Sequence, residues 1–152
     1  MGAWGYKALE SDEGLDVVDF LEKYLGGRAE LKLSDFIASL TENGFFTESG
    51  DIDFWYDHTA LAVSELYFGF ADNGGFTYDV EEEVNPFKLV KSFTADGKSL
   101  KVLLDMLYDI KNEVPDEDGE REIVELWKDS LVWEDWSAHL DSLIKRLETE
   151  IK

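Results

Sequence analysis

The stretch from Trp133 to Ile151, WEDWSAHLDSLIKRLETEI, decides the fold class. Its apolar positions, Trp133, Trp136, Leu140, Leu143, Ile144, Leu147 and Ile151, step by three and four residues, the period of one face of an α-helix. The same period recurs upstream. Trp55, Thr59, Ala62, Val63, Leu66, Tyr67 and Phe70 form one stripe. Leu100, Leu103, Leu104, Leu107 and Val114 form another, with Asp96 or Ser99 placed to cap it and Pro115 to end it. Ser11 caps a helix running to about Leu25, which Gly26-Gly27 ends by offering left-handed backbone. Ser34 caps a shorter helix through Asn43, with Gly44 as its stop. Ile123, Leu126, Trp127 and Leu131 mark a further helix after the acidic turn Asp116-Glu117-Asp118.

Between the helices, Glu48-Ser49-Gly50-Asp51 and Asp72-Asn73-Gly74-Gly75 read as loops. Phe76, Tyr78 and Val80 alternate with polar residues, which predicts one short β element near residues 76–80. Asn85-Pro86 then starts a short helix from Phe87 to Phe93, with proline at its opening. The expected fold is therefore mainly α: a compact single-domain bundle of six to seven helices over residues 1–152, with room for that one short strand.

Charge restricts the function more than length does. The 152 residues carry 14 basic and 35 acidic side chains, a net charge of −21. A nucleic-acid backbone is bound by a basic face that displaces counterions, so direct nucleic-acid binding is not expected. Adhesion to an anionic membrane is disfavoured for the same reason. The longest run without Asp, Glu, Lys or Arg is His58 to Ser64, far short of the ~20 apolar residues of a membrane-spanning helix. No cysteine is present, so disulfides, zinc thiolates and a cysteine nucleophile are excluded. Met1 to Leu9 lacks a basic start followed by an apolar core, so no secretory signal is expected and the cytoplasm is the expected compartment.

The charge is not a tail. From Leu33 through Phe87 there is no Lys or Arg, while that block carries twelve acids and twelve of the 21 aromatic residues. Such a block repels itself and lacks local ion pairs. It reads either as a solvated face over an aromatic core or as an acidic, aromatic-edged surface that docks a basic protein. On the second reading the partner-binding residues are Asp51, Asp53, Trp55, Asp57, Glu81, Glu82 and Glu83.

Catalytic and metal signatures are thin. Ser92-Phe93-Thr94-Ala95-Asp96-Gly97-Lys98-Ser99 has the end of a phosphate-binding loop but Ser92 where its first glycine belongs, and Asp96 would repel the phosphate. It reads as a turn and helix cap. No calcium-binding loop fits around Gly75 or Gly119. His58 has no ligand-type neighbour one turn away. His139 lies four residues after Asp135, so the two share a helix face and a His–Asp contact at a packed boundary is expected rather than a metal pair. No catalytic residue, metal or cofactor is assigned.

At the N-terminus, Gly2-Ala3-Trp4-Gly5, followed by Glu10-Ser11-Asp12 and Asp16, resembles the opening of the 4259 family, a bacterial domain of unknown function. The resemblance covers about the first twenty residues, with Tyr6-Lys7 standing where the family carries a threonine-glycine pair. It implies a bacterial, cytoplasmic setting and transfers no catalytic residue. The expected function is a non-enzymatic acidic protein that binds a basic protein, in the manner of an immunity protein or antitoxin. A metal-dependent enzyme using Asp/Glu and His is the first alternative, and a homo-oligomeric structural protein the second.

Overall fold

In a computed structural model, which describes residues 5–46, 53–78, 84–116 and 118–151, everything is organised around one helix. That helix, α3, is Phe54–Asn73, and every residue from Asp57 to Leu66 is buried. A helix buried on all faces is a core element, whereas a surface helix shows one apolar stripe. The single stripe expected from Trp55 to Phe70 is thus corrected: Asp57, His58 and Glu65 lie inside as well. Asp53 caps the helix, its side chain accepting the Trp55 N–H, and Gly74 closes it with left-handed backbone at φ 70°.

The other elements wrap it. They are a 3-10 turn at Ala8–Glu10, α1 (Asp12–Leu25), β1 (Glu30–Lys32), α2 (Leu33–Glu42), α4 (Pro86–Leu89), β2 (Ser92–Thr94), α5 (Gly97–Lys111), α6 (Glu122–Lys128) and α7 (Trp133–Ile151). The 3-10 turn, α1, α5, α6, α7 and β2 all contact α3, and α5 packs along α7. The architecture is mainly α, with seven helices among the described residues. Ser11 caps α1 by accepting the Gly14 N–H at 3.1 Å, and Gly26 ends it at φ 47°. Asp96 caps α5 by accepting the Ser99 N–H at 2.7 Å, so the stretch resembling a phosphate loop serves as a helix start.

Two expectations about β structure are corrected. Residues 76–78 form no strand; Asp79 and Val80 lie outside the described residues. The strands that do form are β1 and β2, paired in parallel with Leu31 opposite Phe93. The short helix expected to reach Phe93 stops at Leu89, because Val90 turns to extended backbone and the chain joins β1. Both strands are three residues long and bury only the central side chain, Leu31 or Phe93, too short for alternation to reveal them. α2 begins at Leu33 with Lys32 in the capping position, and Ser34 lies within its first turn.

Buried polar groups on α3 must find partners, since each costs stability when left alone. Asp57, 2% exposed, receives a two-pronged bond from Arg121: Nε to Oδ2 at 2.9 Å and Nη2 to Oδ1 at 2.7 Å. Arg121 Nη1 also donates to the Val114 carbonyl at 3.1 Å, fastening the loop before α6. Burial pushes the Asp57 carboxyl up to about 6 and Arg121 opposes that shift, so the pair is ionised at neutral pH. His58, 1% exposed, makes no hydrogen bond through either ring nitrogen and lies 4.4 Å from the Phe54 ring. Its pKa is lowered by burial, with Glu13 of α1 as the charge opposing that shift.

Two predictions follow from α3. Arg121→Met leaves a buried carboxylate unpaired and is expected to cost about 3–5 kcal/mol in urea unfolding. The double variant Asp57→Leu/Arg121→Met is expected to regain most of that loss; equal stability of the single variant and the wild type would refute the pair's role. Burial lowers the His58 pKa in the folded chain, while the unfolded chain takes up a proton near pH 6.5. Its stabilising contribution is therefore complete above about pH 6.5 and is lost as pH falls. The stability of wild type relative to His58→Leu is expected to drop below that pH by up to about 1.4 kcal/mol per pH unit. A difference that stays constant from pH 7.5 to 5 would rule this out.

Candidate functional site

A cleft of about 420 Å³ lies between the N-terminal turn, the second half of α3, residues 75–78 and α7. Its size falls within the ~300–1,000 Å³ range of ligand sites. Glu65 of α3 and His139 of α7 stand on its wall, with Glu65 Oε2 2.8 Å from His139 Nε2. Seven residues further along both helices, Asp72 meets Arg146 in a two-pronged bond of 2.9 and 2.7 Å. Seven residues is two helical turns, so the contacts form two rungs of a ladder and α3 and α7 run in the same direction. The Arg146 guanidinium also lies 4.3 Å from the centre of the Phe68 ring.

Glu65 is the most heavily used side chain of the cleft. Besides His139 it accepts the N–H of Ala8 at 2.7 Å and of Leu9 at 2.9 Å. One carboxylate thus binds the 3-10 turn, the central helix and α7 together. Beside it, Tyr78 has its phenol pKa pushed up to about 12, mainly by burial and then by the Glu65 charge. The expected contact of His139 with Asp135 is corrected. Asp135 is exposed, and the imidazole turns to a residue 74 positions away, with the Tyr6 ring edge-on at 5.6 Å. Only the tertiary fold brings Glu65 into range, so helix spacing could not reveal it.

A carboxylate that orients an imidazole is half of a general-base arrangement. Among the described residues no hydroxyl is hydrogen-bonded to His139. Nor does any group of three or more His, Asp and Glu side chains among them stand close enough to hold a metal ion. Glu65 is occupied by three donors, so its first role is to fasten the turn and hold the ring.

Of the partner-binding residues expected from the sequence, only Asp53, Trp55 and Asp57 are among the described residues. Asp51, Glu81, Glu82 and Glu83 lie outside the described residues. Asp53 is exposed at the start of α3 and serves as its cap. Trp55 is half-buried, 6.0 Å from the Phe45 ring. Asp57 is corrected: paired with Arg121 in the core, it is not accessible to a partner. Nor does the Lys- and Arg-free block lack counter-charges, because Arg121 and Arg146 reach back to Asp57 and Asp72.

An acidic row lies instead on α1. Asp12, Asp16 and Asp19 are exposed at helical spacing, and none makes an ion pair among the described residues. The Asp16 carboxyl pKa is raised by partial burial, then by Asp19, Glu13 and Asp12. The signal was available in the i, i+4, i+7 placement of these acids, but α1 contains Lys23 and so falls outside the block that drew the reading.

No helix among the described residues is long and apolar enough to cross a membrane. No curated protein and no solved structure matches the chain. A family model described as a domain of unknown function (DUF4259) matches residues 2–139. Its span takes in the N-terminal turn, the central helix and the His139 end of the cleft. By that match, over nearly its whole length, the chain belongs to the DUF4259 family of domains of unknown function.

Proposed function

We propose that this is a non-enzymatic, cytoplasmic bacterial protein that binds a basic protein, in the manner of an immunity protein or antitoxin. The observation that carries the reading is the unpaired row Asp12, Asp16 and Asp19 on a chain of net charge −21. Like charges one turn apart destabilise a helix. A cationic surface laid against them relieves that repulsion and is steered there by the field of the whole molecule. A basic enzyme acting on phosphodiesters suits such a partner, since its own site is positive and an acidic protein competes for it.

A second reading rests on the cleft. An imidazole held by a buried carboxylate beside a cavity of about 420 Å³ suits a general base acting on a small substrate. Glu65 also fastens the N-terminal turn through the Ala8 and Leu9 amides, a structural role that accounts for its burial without catalysis and favours the binding reading.

The test is retention of partners from a bacterial lysate by the tagged protein, at low and high salt. It is run beside the variant Asp12→Lys/Asp16→Lys/Asp19→Lys, with circular dichroism to establish that the variant folds. A basic protein retained at low salt, released at high salt and lost by the folded variant is the expected result. Identical retention by variant and wild type would remove the α1 row from the mechanism. If nothing is retained and substrates are turned over in a manner abolished by His139→Gln, the second reading replaces the first.

A further inference from the structure

Three tryptophans stack in series where α6 meets α7. Trp127 and Trp136 rings lie 5.9 Å apart at 11°, and Trp136 and Trp133 lie 5.6 Å apart at 25°. Trp127 and Trp136 are buried, while Trp133 is half-buried and forms the open end of the stack. Trp133 and Trp136 line a slot of about 170 Å³ together with Glu113, Asp141 and Lys111. Leu131, fully exposed, stands two residues before Trp133.

We propose that this slot receives an arginine side chain of the basic partner, its guanidinium stacked on Trp133 and bonded to Glu113 and Asp141. The proposal rests on the partner-binding reading above and names a second contact surface for it, apart from the α1 row.

The chain itself supplies stand-ins for that cation. Lys128 Nζ pairs with Glu113 while lying 6.0 Å from the centre of the Trp133 ring. On the other side, Lys111 Nζ pairs with Asp141 at 2.8 Å. These side chains are about half exposed, and ion pairs so placed are weak and exchange readily. A guanidinium suits the site better than an ammonium: it is planar, stacks on indole and bonds a carboxylate through two N–H groups at once. The size is suited to the end of one side chain rather than to a larger ligand.

Glu113 carries a further mark. It adopts left-handed backbone at φ 52°, the one positive-φ residue other than glycine among the described residues. Glycine or asparagine takes that conformation at lower cost. That conformation closes α5, with the Glu113 N–H bonded to the Ile110 carbonyl and the Val114 N–H to the Asp109 carbonyl, and it sets the Glu113 side chain beside the slot.

The test uses a tetra-arginine peptide at low salt, with a tetra-glutamate peptide as control. The readouts are the indole N–H resonance of Trp133 and a binding isotherm from tryptophan fluorescence. Wild type is expected to bind tetra-arginine with a shift of the Trp133 resonance. Glu113→Gly and Trp133→Leu are each expected to weaken binding on the order of fivefold, the effect of losing one such contact. Glu113→Gly relieves the backbone strain, so its thermal midpoint is expected to stay level or rise, separating lost binding from lost folding. If the peptide binds all three proteins equally and the Trp133 resonance does not move, the slot is overturned while the acidic-surface reading stands. If the peptide does not bind wild type at all, both fall.

Discussion

The burial of the middle of α3 on every side is the constraint to which the rest of the molecule answers. The ten residues from Asp57 to Leu66, enclosed in this way, must hide their polar side chains along with their apolar ones. Each hidden group then dictates where another part of the chain goes. Asp57 requires Arg121, which in turn holds the Val114 carbonyl and sets the loop into α6. Glu65 requires the amides of the N-terminal turn and the ring of His139. Thr59 and Ser64 satisfy themselves locally, donating to the carbonyls of Trp55 and Ala60. His58 alone among these makes no bond, so it is tolerated only as the neutral ring.

Local features were legible in the sequence because their causes are local. Ser11, Gly26 and Asp96 act within one turn of their own backbone, and the α7 stripe from Trp136 to Leu147 faces the core as its period requires. The family was legible at the N-terminus from a few residues around Trp4 and Ser11, and the match extends it to residue 139. What could not be read was long-range. The charge on Asp57 and Glu65 marks a solvated face unless their partners 64 and 74 residues away are known. Likewise β1 and β2 are three-residue segments that become strands only by meeting each other. His139 shows the bias: Asp135 was near in sequence, Glu65 is near in space.

The described surface divides its charges into two kinds. Some lysines and arginines are drawn into pairs that brace elements, such as Lys111 with Asp141 and Arg146 with Asp72, while others, such as Lys23 and Lys88, make no ion pair among the described residues. The acids of α1 are left over. A surplus of unpaired carboxylates weakens the compact state by mutual repulsion, and the apolar core from Val17 to Leu147 offsets it. The acidity is therefore a property the fold sustains rather than one that sustains the fold.

The two rungs joining α3 to α7 have a consequence for how the chain acquires its shape. Parallel contacts between elements so far apart in sequence require a long loop to close before any of them forms. Until Arg121, His139 and Arg146 have been synthesised, Asp57, Glu65 and Asp72 have none of the side-chain partners they hold in the finished fold. The Lys- and Arg-free block from Leu33 to Phe87 thus leaves the ribosome before the basic side chains that pair with it. Its order is completed from the other end, when the last helix docks.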